Sequence, residues 1–287
     1  MKMKDSMSDI KCGPFPCSKC GNPTGGLHCD CGKSLWKGYR FDSKKVRHEI
    51  VAWIRDWFEK NAHPNAPAII GLSGGKDSNI CAALLVEALG VYRVIGVSLA
   101  TVKEEDIDPD VHKITAHLGI TTYFIDISNI TAQILGDVSP WIGDATSQTV
   151  ENIPPRVRMT YLYAIASVKN GRVCNCSNAS EDYVGYTTKW GSNTGDFAPI
   201  ADLTVSEVKA IGKELRLPKK LVNKTPHDGL QALSDEEKLG IKYAEIDDFI
   251  RNGVDTEWFG LLDDSTIFKL HKANKHKFEP IPKYKYN

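Results

Sequence analysis

With 287 residues, 41% hydrophobic and 25% charged, the chain has the composition of an ordinary globular protein with material for one large domain and a small appendage. Its 36 basic residues balance 36 acidic ones, so bulk electrostatics give no reason to expect nucleic-acid or membrane binding. No apolar run approaches a membrane span, and the amino terminus, with Lys2, Lys4 and Asp5, lacks an apolar signal core, which points to a cytoplasmic protein.

In chain order, the first feature is a cysteine cluster. Five of the eight cysteines are Cys12, Cys17, Cys20, Cys29 and Cys31. Disulfides are unusual in a cytoplasmic enzyme, so the cluster reads as a metal site. Cys17-Ser-Lys-Cys20-Gly21 and Cys29-Asp-Cys31-Gly32 form two short knuckles whose four thiolates suit tetrahedral zinc, with Cys12 and His28 as spare ligands. A closed four-sulfur shell admits no substrate. The expected work of the zinc is structural, folding a segment over residues 1–38 that is too short to make its own core.

From Lys45 to Glu59 the apolar positions Val46, Ile50, Val51, Ile54, Trp57 and Phe58 share one helical face. Ala68 to Leu72 reads as a buried strand. After a glycine turn, Asn79 to Leu89 places Ile80, Cys81, Leu84, Leu85, Ala88 and Leu89 on one helical face, and Gly90 stops it. A strand at Val94 to Leu99, a helix at Pro109 to Leu118, a strand at Thr122 to Ile127, a helix following Pro155 and a strand at Arg172 to Ser177 complete the middle. Strands separated by helical crossovers predict an α/β fold, a parallel sheet with helices on both faces. Cys174 and Cys176 alternate on the last strand and are expected to pack on one face.

The turn between Ile69 and Ser78 carries the chemistry. It lies at the carboxyl end of a strand beside a helix N-terminus, where open parallel sheets bind phosphate. Ser73, Gly74 and Gly75 let backbone N–H groups converge on an anion, and Ser73 and Ser78 add hydroxyl donors. It is not a Walker loop, because Lys76 is followed by Asp77 where that motif needs Ser or Thr. A carboxylate in a phosphate cradle implies a divalent cation, magnesium by its oxygen chemistry. Farther on, Arg156 and Arg158 are expected in the first turn of the helix after Pro155, where cations are unfavourable unless an anion binds.

The Ser73-Gly-Gly-Lys-Asp77-Ser78 loop resembles that of the ATP pyrophosphatases, which split ATP between its α and β phosphates. The series Asn152-Ile-Pro-Pro-Arg156-Val-Arg158-Met159, Asn178-Ala-Ser-Glu181, Gly185-Tyr-Thr-Thr-Lys189-Trp-Gly191, Asp196-Phe-Ala-Pro199, Lys224-Thr-Pro226, Asp235-Glu through Asp248, and Lys275-His276-Lys277 resembles the NAD synthetases specifically, over roughly residues 40 to 283. The resemblance implies a Rossmann-like fold of the adenine nucleotide alpha hydrolase type over 39–287. It implies a ligase that adenylates the carboxylate of deamido-NAD with ATP and amidates it with ammonia. Gly71, Ser73, Gly74, Gly75, Lys76, Asp77, Ser78 and Cys176 would bind ATP and pyrophosphate. Asp77 and Glu181 would hold magnesium and, with Lys189, act in catalysis. Arg156, Lys189, Asp196, His276 and Lys277 would contact deamido-NAD. With no glutaminase module recognisable, the nitrogen donor implied is free ammonia or ammonia from a separate protein, and the family's habit implies a homodimer with the acceptor site at the interface.

Five positions depart from that pattern. Val205 and His227 stand where an ATP-facing lysine and a Thr or Ser are usual, Asn175-Cys176 replaces Gly-Thr, and Ser192 replaces an aspartate. These departures keep two rivals in view. One is a tRNA-thiolating ATP pyrophosphatase using Cys174 and Cys176, against which the neutral charge counts. The other is a nucleotide-binding protein without turnover.

Overall fold

The computed structural model describes residues 13–16, 23–24, 41–101, 107–143, 145–224, 235–252 and 265–285. The zinc-knuckle residues Cys12, Cys17, Cys20, His28, Cys29 and Cys31, and also His227, lie outside the described residues. Of the first forty, the backbones of β1 (Gly13–Pro16) and β2 (Pro23–Thr24) pair antiparallel.

The central sheet is parallel throughout, in the order β5-β4-β3-β6, with β3 at Ala68–Gly71, β4 at Val94–Ala100, β5 at Thr121–Asp126 and β6 at Arg172–Cys174. Its register is set at β3, where Ala68 faces Val94 on one side and Arg172 on the other. Both faces are covered, as a parallel sheet requires. Ala68, Ile70 and Leu72 point into one core with Val51, Ile54 and Phe58 of α1 (Ser43–Asn61), Leu84 and Leu85 of α2 (Lys76–Leu89), and Val208 and Ile211 of α7 (Val205–Glu214). Ile69 and Val173 point the other way, into a core with Val157, Leu162 and Ala166 of α5 (Ser147–Lys169). Strand alternation thus splits one short apolar run between two layers. α3 (Pro109–Leu118) begins and ends where the sequence places it, capped by Asp108 and stopped by left-handed Gly119.

Two sequence expectations are corrected on the second face. The segment before Pro155 contains α4 (Ser128–Ile142), which the apolar pattern did not single out, and α5 starts at Ser147 rather than after the prolines. Thr146 caps α5 by accepting from Thr149 N–H at 3.2 Å, and Pro154 and Pro155 lie inside the helix. At the eighth and ninth positions of α5 these prolines each remove an N–H that would otherwise reach the carbonyl four residues back. Because proline is commoner at a helix start, the sequence pattern predicts a first turn there. Arg156 and Arg158 are consequently about three turns from the N-terminus, beyond reach of its dipole. Arg158 instead donates to the Leu99 carbonyl at 2.9 Å, tying α5 to the end of β4.

β6 is also shorter than expected, ending at Cys174. The chain then leaves the sheet while residues 196–197 take its edge, with Asp196 N–H donating to Val173 O and Asn175 N–H to Phe197 O, both at 2.8 Å. A third apolar cluster, Val184, Val205, Ile241, Tyr243, Ile246, Phe249 and Ile267, packs α6 (Ala179–Val184), α10 (Tyr243–Asn252) and α11 (Thr266–Asn274) together beside the sheet. α8 (Lys219–Val222) and α9 (Asp235–Leu239) are short connectors.

Candidate functional site

β3 delivers the chain to the phosphate turn. Leu72 N–H still bonds Val97 O at 2.9 Å, so the ladder holds until the residue before Ser73. Gly74 then takes φ +74°, and a Cβ there would press on the Asp108 carboxyl at 3.3 Å. The turn is pre-organised by its own side chains: Ser73 Oγ accepts from Gly75 N–H at 3.2 Å, and Ser78 Oγ donates to Gly75 O at 3.1 Å. Gly75 caps α2 without a side chain, so the N–H groups of the first turn are uncapped and face the loop. A fourteen-residue helix whose first N–H groups have no side-chain cap among the described residues, under a glycine turn, has the makings of an anion site.

Charge at this turn is arranged across distant segments. Asn178 caps α6 by accepting from Ser180 and Glu181 N–H, which fixes Glu181 in its first turn. Asn178 Nδ2 also donates to Asp77 Oδ1 at 3.3 Å, linking the two acids. Lys76 is buried between them, Nζ 2.7 Å from Asp77 Oδ2 and 3.7 Å from Glu181 Oε1, over the Tyr243 ring. Burial lowers the Lys76 pKa, yet Asp77, Glu181 and Asp235 together hold it above its ordinary value. Two carboxylates converging on one cation are a donor set that fits magnesium, since all their oxygens are hard ligands and an ammonium already lies between them. Burial first, and then Asp77, push the Glu181 carboxyl up to about 8.

That shift sets a stability window. The folded acid holds its proton more tightly than the unfolded chain, so the contribution of neutral Glu181 is full below the ordinary value of 4.5 and is lost as pH rises through about 8. In chelator-treated protein the melting temperature is expected to decline across that interval. Glu181→Gln should flatten the decline; an unaltered slope would show that Glu181 is not the titrating group.

The residues expected to meet the acceptor gather at the far end of α6. Arg156 Nε donates to Lys189 O at 3.2 Å, Lys189 Nζ to His276 O at 2.6 Å, and Lys277 Nζ to Gly185 O and Thr187 O at 2.7 and 3.0 Å. Arg156, Lys189 and Lys277, with His276 beside them, form one group built from α5, the loop after α6 and the short turn 275–277. Asp196 stands apart from them, accepting from Tyr163 OH at 3.1 Å and Val173 N–H at 2.7 Å. A cavity of about 270 Å³ lies along Asp196, Asp182, Asn175, Asn193 and Phe278. Sequence reasoning missed Asp182, whose Oδ1 is buried without a partner among the described residues and whose carboxyl burial pushes up to about 7. Nothing in its neighbourhood of sequence distinguishes it from a solvent-facing acid beside Glu181. Asn178 and Tyr243 were missed as well, although Asn178 with an acid three residues on is a capping signal.

The departures resolve in part. Val205 is buried in the third apolar cluster, so this position offers no cation to the turn. Lys76 is the buried cation there instead. Ser192 Oγ accepts from Thr188 N–H at 2.9 Å and so shapes the loop that presents Lys189.

Comparison with known proteins gives a consistent relationship. The family model described as NAD synthase matches residues 46–280. An NH(3)-dependent NAD(+) synthetase from Methanosarcina acetivorans is 35% identical over 260 residues, covering 84% of this chain and 98% of that one. One from Methanoregula boonei is 36% identical over 215 residues, 73% of this chain and 84% of that one. Among solved structures, an NMN synthetase from Francisella tularensis superposes with a TM-score of 0.75 at 30% identity, covering 86% of this chain and all of that one.

Proposed function

The chain belongs to the NAD synthase family, and on that premise we propose that it makes NAD from deamido-NAD and ammonia, activating the carboxylate with ATP. It is a ligase forming a C–N bond. The observation that carries the reading is the uncapped N-terminus of α2 beneath the glycine turn with Asp77 and Glu181 converging on one buried cation. Phosphate donors and a metal-binding acid pair are what ATP cleavage needs in one place.

In this reading a carboxylate oxygen of deamido-NAD attacks the α-phosphorus of ATP and pyrophosphate leaves. Ammonia then adds to the acyl carbon, the C–O bond to AMP breaks, and the C–N bond of the amide remains. Ser73, Gly74, Gly75 and Ser78 hold phosphate oxygens through N–H and O–H donors, with Gly71 leading into the turn and Cys176 assigned to the phosphate side by the resemblance alone. Asp77 and Glu181 would hold magnesium, which when bound neutralises charge on the departing pyrophosphate. Arg156, Lys189, His276 and Lys277 orient the acceptor by its anionic groups, and Asp196 faces it across the cavity. No acid–base triad is required, because the work is positioning and the exclusion of water from a mixed anhydride.

A second acceptor has support of its own. The Francisella tularensis structure is an NMN synthetase, so the deamido mononucleotide is the alternative substrate. Purified protein with ATP, magnesium and ammonium should release pyrophosphate with deamido-NAD and yield NAD by mass. Faster turnover with the mononucleotide would shift the assignment to NMN synthesis, and turnover that requires RNA, Cys174 and Cys176 would replace it by sulfur transfer.

The same reading divides the chain into a cysteine-rich segment at 1–38, with zinc on Cys17, Cys20, Cys29 and Cys31, and a synthetase domain at 39–287. The family match beginning at 46 supports that boundary. A homodimer is supported by large apolar side chains left exposed on α4 and α5, among them Trp141, Ile142, Val150 and Val168. No helix among the described residues is long and apolar enough to cross a membrane.

A further inference from the structure

Among the described residues, one cluster of thiols lies apart from the carboxylates and cations described above. Cys81, in the second turn of α2, and Cys174, the last residue of β6, are buried, while Cys176 two residues on is partly exposed. Their three Sγ atoms lie within 4.8 Å of one another, and none is in a disulfide. We propose that these three thiols form a site for a single thiophilic metal ion at the junction of α2 and the C-terminal end of β6.

Geometry supports one ion rather than mere packing of small apolar residues. Three thiolates bound to one ion at about 2.3 Å in a plane stand about 4 Å apart. The observed separations therefore need only side-chain adjustment to close on a metal. The backbone between the two strand-end cysteines is already held. Asn175 Nδ2 donates to Ser192 O at 3.0 Å and Thr194 O at 3.3 Å, and its Oδ1 accepts from Ser177 N–H at 2.8 Å. The Cys174–Cys176 turn is thus fixed from outside, with both sulfurs left facing Cys81.

The donor set selects the metal class. Three sulfurs with no carboxylate or imidazole in the group favour zinc, cadmium or cuprous ion and disfavour magnesium. Binding converts thiols to thiolates and releases one proton per sulfur ligated, so affinity rises with pH. A bound ion pins β6 to α2 one helical turn after Asp77, on the protein side of the phosphate turn. This site uses none of the hard oxygen ligands and is independent of the choice of acceptor.

Cadmium is the probe, because its thiolate bonds absorb in the ultraviolet. Reduced full-length protein is dialysed against Cd²⁺ with excess Mg²⁺, and bound cadmium and thiolate absorbance are measured for the wild type, Cys176→Ser and Cys81→Ala. The same measurement on Cys17→Ser/Cys20→Ser reports the amino-terminal cysteines separately. The wild type should hold one more equivalent than Cys176→Ser and Cys81→Ala, with affinity at the affected site falling more than about 100-fold. The extra equivalent should persist in Cys17→Ser/Cys20→Ser. Equal cadmium in the wild type and in both folded core variants, or loss of all binding in Cys17→Ser/Cys20→Ser, overturns the site. Melting curves of each variant establish that the comparison is between folded proteins, and Cys176→Ser, at a partly exposed position, is the variant best able to fold.

Discussion

Asp77→Ala is expected to cut ATP-dependent pyrophosphate release by more than about a thousandfold, roughly 4 kcal/mol of transition-state stabilisation. The expectation follows from how the acid is placed. Asp77 lies in the first turn of α2, where the helix dipole would favour a bound anion, yet its own oxygens face Lys76 and Asn178 rather than the uncapped N–H groups. Removing it leaves the phosphate donors of the turn in place and takes away one of the two carboxylates that a metal would use. ATP should therefore bind the variant with a smaller loss than turnover suffers, and calorimetric titration of ATP beside the pyrophosphate assay separates the two. Asp77→Asn sharpens the test. It keeps the shape and one oxygen for Asn178 but discards the charge, so turnover should fall about as far as in the alanine variant. An asparagine enzyme with wild-type turnover would mean that the carboxylate does not hold a cation, and the site would have to be rebuilt around Glu181 and Lys76 alone. Lys76 complicates only stability: with Asp77 gone, its buried ammonium loses its 2.7 Å partner and keeps Glu181 at 3.7 Å and the more distant Asp235. Melting curves must accompany the kinetics, since a buried charge deprived of its partner costs about 3–5 kcal/mol.

What the sequence disclosed of this site, and what it withheld, divides along the range of the interactions. The strand, turn and helix from Ala68 to Leu89 are local, set by an apolar run, two glycines and a helical period, and they were legible. So was α3, with proline after an aspartate cap and glycine at its end. α5 was misplaced because Pro154 and Pro155 give the same signal at a helix start as within its early turns. Only Thr146, eight residues before Pro154, distinguishes the cases. The short β6 ends where another segment, 196–197, takes the edge, and no periodicity of residues 172–177 records that substitution. The burial of Lys76 is the largest omission. Its partner Glu181 is more than a hundred residues away, and a lysine beside an aspartate at a helix start looks like any solvated pair until the tertiary fold closes over it. Resemblance to the NAD synthetases pointed to Asp77 and Glu181 as metal-holding acids, a role that stays a proposal, whereas the structure shows that Lys76 stands between them. It also shows that Val205, read as a lost ATP contact, is a packing residue in this chain.

The second large effect is expected at a residue with no chemistry of its own. Gly185 ends α6 with φ +69° and ψ 29°, a left-handed cap that costs a side chain about 1–2 kcal/mol. The closer constraint is space. A Cβ at Gly185 would lie 2.0 Å from Asn274 Cβ on α11, well inside contact distance. Asn274 cannot swing aside without losing its bonds from Nδ2 to Val184 O at 3.1 Å and to Leu270 O at 3.0 Å. Gly185→Ala must therefore push α11 off α6, and with it the turn carrying His276 and Lys277. Gly185 O is itself an acceptor for Lys277 Nζ, so displacement and loss of that contact go together. A destabilisation of about 3 kcal/mol is expected, read as a fall in melting temperature of about 6–12 °C for a domain of this size. Gly119 supplies the internal control. It has nearly the same backbone, φ 67° and ψ 21°, but among the described residues a Cβ there would meet nothing closer than Val91 at 3.8 Å. Gly119→Ala should show the backbone cost alone, so the excess in Gly185→Ala isolates the collision between α6 and α11. In the folded fraction of Gly185→Ala, the KM for the acceptor should rise while that for ATP changes little, because α11 leads to His276 and Lys277 and not to the phosphate turn. Equal losses in the two glycine variants, or a KM shift for ATP in place of the acceptor, would detach Lys275–Lys277 from acceptor binding.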